Sequence, residues 1–239
     1  MKSIEVHNLS KSYSRRLALD GVSFGVERGE LFGVIGPDGA GKTTLFRLLA
    51  TLLNPDGGTA SVEGYDIVSH YIAIRKIVGY MPGRFSLYSD LTVEENLRFF
   101  ASLFGVSAER NYDLVAPIYR QIEPFGKRRA GKLSGGMKQK LALCCALIHK
   151  PQVLFLDEPT TGVDVESRIE FWDMLQNLHQ QGITILVSTP YMDEALRCNR
   201  VALINEGRIL GIDTPDNILR QSGQPTFEDA FITLMSKQI

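Results

Sequence analysis

GPDGAGKT, residues 36–43, is the stretch whose reading decides how the rest of this chain folds. It fits G-x-x-x-x-G-K-[ST], a phosphate-binding loop, and that pattern needs a strand before it and a helix after it. Both are legible. An apolar run over 31–35 reads as a buried strand, and an apolar periodic pattern over 43–53 reads as a helix. Gly36, Gly39 and Gly41 let the backbone come close to an anion. With Asp38, Ala40 and Thr44 they bring successive N–H groups together as an anion nest at a helix N-terminus, and Pro37 belongs to the same nucleotide-binding loop. Lys42 adds a point charge suited to β- and γ-phosphates, and the Thr43 hydroxyl is placed to ligate Mg²⁺.

The 239 residues around this loop suit one large α/β domain or two small ones, with 44% hydrophobic and 22% charged residues, ordinary for a globular protein. A net charge of −1 supplies no global basic field, so no nucleic-acid partner is expected. The basic run Lys127, Arg128, Arg129 reads as a solvated turn. Cys144 and Cys145 are adjacent in an apolar helical run, and Cys198 stands alone. None has metal-ligand spacing, so all three read as buried free thiols in a reducing compartment. MKSIEVHNL lacks the apolar core of a secretion signal, and no apolar run approaches the ~18–20 residues of a membrane helix. The expectation is a soluble protein that docks on something else if it works at a membrane.

Strand-like pieces at 4–6 and 22–26 precede the loop, with Tyr13 expected in a loop between them. NPDGG at 54–58 is a turn, followed by strands at 59–62 and 77–81. From Thr92 the pattern turns helical and continues to about 125. Thr92 and Glu95 have the form of a capping box. This is the candidate inserted helical subdomain, roughly 84–150. A helix opens at LSGGMKQK (133–140) and reaches about 149. Beyond it come a strand at 153–156, a helix at 165–179 and a strand at 183–187. Strands at 201–204 and 208–212 follow, then a last amphipathic helix at 227–236.

VLFLDE, 153–158, is a buried strand ending in two acids. The end of a sheet strand beside a phosphate loop is where a carboxylate reaches Mg²⁺, so Asp157 is placed to hold the metal. Glu158, one residue on, is placed to act as general base on the attacking water. LSGGM is a second anion-binding helix start, about a hundred residues after the first. One nucleotide does not easily use both from one subunit. A head-to-tail dimer resolves this, with each ATP between the phosphate loop of one subunit and the LSGG of the other.

With GPDGAGKT, LSGGMKQK and LFLDEPTTGVD in this order, the chain resembles an ATP-binding cassette (ABC) ATPase, the nucleotide-binding domain of a transporter, over nearly its whole length. The resemblance implies a single α/β domain over 1–239. Its parts are a P-loop NTPase core with a mainly parallel sheet, an antiparallel β subdomain and the helical subdomain. It implies that Tyr13 stacks on adenine. Ser134 and Gly136, flanking Gly135, contact the γ-phosphate across the dimer, and Asp164 belongs to the loop through which the two sites communicate. SLYSDLTVEENL, STPYMDEA and FEDAF look most like the exporter branch that handles drugs, lipids or polysaccharides. The implied cofactors are ATP and Mg²⁺. The implied partners are a membrane permease and a second cassette, as homodimer or heterodimer, at the cytoplasmic face of the membrane.

Two positions depart from the family pattern. Gly83 stands where a glutamine is expected near Mg²⁺ and the attacking water, and Pro190 where a histidine is expected at the γ-phosphate. Neither side chain donates a hydrogen bond. Arg84, His70 and His149 are the side chains weighed as substitutes. The expected function is ATP-driven export, with slow turnover at this chain's own site. The alternative is a catalytically weak, ATP-gated cassette paired with an active one. A soluble ABC ATPase of DNA repair or translation fits less well, for want of a coiled-coil insertion, a second cassette or a zinc cluster. Phe85, Leu87 and Tyr88 are expected at the permease-docking surface.

Overall fold

A computed structural model of the chain describes residues 1–14, 16–84, 86–108 and 111–236. Strands β1 (Lys2–Tyr13) and β2 (Arg16–Glu27) form a long hairpin, and β3 (Leu31–Ile35) leads through the phosphate loop into α1 (Lys42–Leu49). Next come β4 (Gly57–Val62), β5 (Tyr65–Asp66), α2 (Tyr71–Ile77) and β6 (Val78–Met81). A helical stretch holds α3 (Val93–Leu103), α4 (Tyr112–Tyr119) and α5 (Gly135–Leu147), with α5 packed on the other two. The chain then returns to β7 (Val153–Asp157), α6 (Val165–Gln180), β8 (Thr184–Thr189), β9 (Arg200–Asn205) and β10 (Arg208–Asp213). It ends in α7 (Pro215–Ser222) and α8 (Phe227–Ser236).

Two sheets result. β2-β1-β4-β5 is antiparallel, and β10-β9-β3-β8-β7-β6 is parallel except for β10. Alternation along the parallel strands sorts side chains onto two faces. Phe32, Val34, Phe155, Leu186 and Ile204 join α1 and the antiparallel sheet in one core. Leu31, Ile35, Leu156, Val187 and Leu203 join α5, α6 and α8 in the other. An edge-on contact of Phe46 with Phe155, centroids 6.3 Å apart, fixes α1 against β7. Burial on both faces is why these strands read as unbroken apolar runs.

Register positions the site. Ile35 pairs with Thr189, Asp157 with Ser188, and Met81 with Leu156. The four strands β3, β8, β7 and β6 therefore end within about two residues of one another. The segments that follow them, beginning at Gly36, Pro190, Glu158 and Pro82, leave the same sheet edge side by side, as parallel topology requires.

Several expectations are corrected. The pieces at 4–6 and 22–26 belong to two strands of 12 residues each, joined with register shifts. Tyr13 is not in a loop but on the last rung of that hairpin, opposite Arg16. The helix after the phosphate loop stops at Leu49, and Thr51 takes φ 59. The helical texture to 125 breaks after α3, where Gly105 takes φ 66, and resumes as α4. Helices α2 and α7 were not expected. The capping box is present: Thr92 Oγ1 accepts from the Glu95 N–H, and Glu95 accepts from the Thr92 N–H at 2.8 Å.

Candidate functional site

The cleft above this edge has a volume of about 230 Å³ and is lined by Tyr13, Arg16, Gly39, Lys42, Thr43 and Glu158 among others. Lys42 is 2% exposed. Its ammonium donates to the Gly36 carbonyl at 2.7 Å and to the Pro37 carbonyl at 2.8 Å. Glu158 Oε1 lies 3.0 Å from the same nitrogen. A buried ammonium needs such partners. The phosphate-loop lysine and the acid expected to act as base therefore pair with each other.

Asp157 and Glu158 are held by a residue the sequence reading did not pick out. Ser188 Oγ donates to Asp157 Oδ1 at 2.8 Å and accepts the Glu158 N–H at 2.9 Å. That N–H also reaches the Ser188 carbonyl at 3.1 Å, while Glu158 takes φ 51. One hydroxyl thus holds both the Asp157 carboxylate and the Glu158 backbone. Burial raises the Asp157 carboxyl above its ordinary range, and hydrogen bonds from Ser188 and Thr43 oppose this.

The segments after β6 and β8 leave the same sheet edge without lining the cleft, and the side chains of Gly83 and Pro190 donate nothing. A Cβ at Gly83 would sit 2.9 Å from the Asp157 carbonyl oxygen, so the segment after β6 approaches β7 as only glycine permits. Pro190 follows Thr189, whose hydroxyl donates to the carboxylate of Glu194. Glu194, 3% exposed, also accepts from Thr160 Oγ1 at 2.9 Å and from Arg168 Nε at 3.1 Å. This buried carboxylate ties the segment after β8 to the segment after β7 and to α6. Sequence reading missed it because its partners come from three separate stretches.

Neither histidine weighed as a substitute lines the cleft. His149 lies against the Val78 carbonyl at 3.1 Å and stacks on Phe104 at 3.7 Å between centroids. Burial lowers its pKa and favours the neutral ring. His70 sits beside Ser69 Oγ at 2.9 Å. Arg84 does not line the cleft either.

Ser134, Gly135 and Gly136 are not brought to the cleft within this chain. Ser134 caps α5, its Oγ accepting from the Met137 N–H at 3.3 Å. A Cβ at Gly136 would lie 2.5 Å from Ser167 Oγ, so this helix start packs against α6. Asp164 caps α6 by accepting from the Ser167 N–H at 3.0 Å, which lowers its pKa. The signature and Asp164 are thus neighbours of each other. Gly36, Pro37, Asp38, Ala40 and Thr44 lie in the loop and helix start that Lys42 closes.

A second, apolar groove of about 400 Å³ runs between β6, α3 and α5 and includes Leu87, Phe104 and His149. Leu87 is buried, and Tyr88 is 51% exposed with its ring edge-on to Phe99 at 4.8 Å. Phe85 lies outside the described residues.

The sequence pattern of the ABC transporter family matches residues 19–161. Over 97% of its length the chain is 42% identical to the probable multidrug ABC transporter ATP-binding protein YbhF of Escherichia coli (strain K12), and it spans 41% of that protein's length. It is also 42% identical to the Nod factor export ATP-binding protein I of Burkholderia orbicola (strain AU 1054), over 90% of this chain and 72% of that one. A solved structure described as the ATP binding subunit of an ABC transporter matches with a TM-score of 0.87 at 30% identity, covering 97% of this chain and 99% of its own.

Proposed function

The chain belongs to the ABC transporter family, and from that premise we propose that it is the ATP-binding and ATP-hydrolysing subunit of an exporter, coupled to a separate membrane permease. The observation that carries this reading is the one cleft in which Lys42, Thr43 and Glu158 meet, with Lys42 Nζ 3.0 Å from Glu158 Oε1. Binding of a nucleotide exchanges Glu158 for a phosphate oxygen on Lys42. The freed carboxylate then accepts a proton from water attacking the γ-phosphate in line. The Thr43 hydroxyl and Asp157 carboxylate are hard oxygen donors of the kind that would hold Mg²⁺. The ion supplies neutralisation of phosphate charge when bound. Tyr13, 43% exposed on the cleft rim, is the stacking surface for adenine.

The signature residues Ser134, Gly135 and Gly136 complete the equivalent cleft of a second cassette, and Asp164, beside them, links the two sites. The helical subdomain, about 84–150, carries the signature, and the apolar groove beside Leu87 receives the permease. No helix among the described residues is long and apolar enough to cross a membrane, so the reading is a subunit held peripherally at the cytoplasmic face. Relatives named for multidrug and Nod factor export support the exporter direction.

Gly83 and Pro190 favour a second reading, in which this chain pairs with a complete cassette and its own cleft turns over slowly. Phosphate release by the transporter separates the two. In a homodimer, Glu158→Gln loses on the order of 10²–10⁴ in rate, the size expected for a general base. In a mixed dimer, Ser134→Arg removes most turnover and Glu158→Gln removes little. Activity unchanged by either variant contradicts both readings.

A further inference from the structure

The hairpin that carries Tyr13 also delivers a cation to the cleft. Tyr13 and Arg16 are direct partners on the last rung of β1 and β2. Directly opposed residues of antiparallel strands project from the same face of the sheet. Both side chains accordingly line the cleft. The Arg16 guanidinium reaches past the rim: Nη2 lies 3.6 Å from where a Cβ on Gly39 would stand, over the crown of the phosphate loop. Arg16 is exposed, and among the described residues it has no hydrogen bond or ion pair. Lys42, by contrast, is buried and fully engaged.

We propose that Arg16 is a further nucleotide-binding residue, whose guanidinium pairs with the phosphates of the nucleotide held by residues 36–43. This rests on reading the cleft as a nucleotide site. A planar fork of donors matches phosphate oxygens in a way that a point charge does not. The position over Gly39 aims it at the phosphates and leaves the purine to Tyr13. It also brings positive charge to the cleft from the hairpin side.

Calorimetric titration of MgATP and MgGTP into the intact protein and into Arg16→Ala, Arg16→Lys, Arg16→Glu and Lys42→Ala tests this. The account expects Arg16→Ala to weaken both nucleotides by about tenfold, the size of a partly exposed charge-assisted hydrogen bond. Arg16→Lys loses less, Arg16→Glu more, and the loss shrinks at high salt, where exposed charges are screened. Affinity within about twofold for Arg16→Ala and Arg16→Glu, measured at low salt, overturns the inference. So does a loss confined to one purine, which assigns Arg16 to the base. Lys42→Ala separates the two levels: if it binds normally, the nucleotide reading of the cleft has failed. If it loses binding while the Arg16 variants do not, only the role of Arg16 has failed.

Discussion

Two walls rise from the same sheet edge beside the cleft and differ in what their side chains supply. On one wall, the Lys42 ammonium meets the Glu158 carboxylate, Asp157 at the end of β7 accepts from Ser188 of β8, and the Thr43 hydroxyl follows Lys42 in the loop. On the other, the segments after β6 and β8 present Gly83 and Pro190, which donate nothing. The bare wall is nevertheless well made. Gly83 packs against the Asp157 carbonyl, and the Pro190 segment is anchored by the buried Glu194. A site can thus keep the geometry of its loops while losing the groups those loops are expected to carry. On the proposed reading the missing donors would face the γ-phosphate and the attacking water, which would place the cost on turnover more than on binding.

Breaking the bare wall produces the largest expected change. Glu194→Ala strips the acceptor from Thr160, Thr189 and Arg168 and leaves a guanidinium without its buried partner. Loss of one half of a buried pair costs about 3 kcal/mol. Chemical denaturation followed by circular dichroism should show that loss as a lower midpoint with the slope unchanged. A midpoint equal to the parent would mean the anchor is not needed.

On the equipped wall, Ser188→Ala removes the hydroxyl that holds the Asp157 carboxylate and the Glu158 backbone, while leaving the Ser188 carbonyl to hold the Glu158 N–H. A single hydrogen bond of this kind is worth about 1 kcal/mol. The expected result is a fall in turnover of roughly fivefold with MgATP affinity nearly kept. A fall in affinity without one in rate would place Ser188 in binding alone.

The smallest expected effect sharpens the contrast. Pro190→His adds a donor to a segment that Glu194 already anchors, and should raise the hydrolysis rate a few-fold. Gly83→Gln should give no such gain by itself, because its Cβ would meet the Asp157 carbonyl at 2.9 Å and the backbone must move first. Single-turnover hydrolysis distinguishes them. A gain from Gly83→Gln larger than that from Pro190→His would show that the close approach is not what limits this position.

Much of the equipped wall was legible because it is local. Strand, glycine loop and helix follow one another, and the strand ending in Asp157 and Glu158 is a continuous apolar run. The capping box at Thr92 was legible for the same reason. What escaped depends on register. Ser188 acts on Asp157 because β7 and β8 pair at that rung, and Arg16 faces the cleft because it lies opposite Tyr13. No local pattern announces either pairing. The full length of β1 and β2 was hidden by register shifts and by Asn8 at φ 50, which interrupt the alternation. Helix α7 did have a signal. Thr214 caps it, Pro215 stands at its first turn and Gly223 closes it in the left-handed conformation. Its 8 residues are short for a periodic pattern to emerge, so that punctuation was the only available cue.

The central claim is that the cleft closed by Lys42 is a MgATP site whose binding half is intact. Calorimetric titration of MgATP into the parent chain and Lys42→Ala tests it most directly. The account predicts saturable binding to the parent and a loss of at least about tenfold in the variant, since a buried charge-assisted partner of the phosphates is gone. Equal affinity in the two, with the variant shown to be folded, would contradict it.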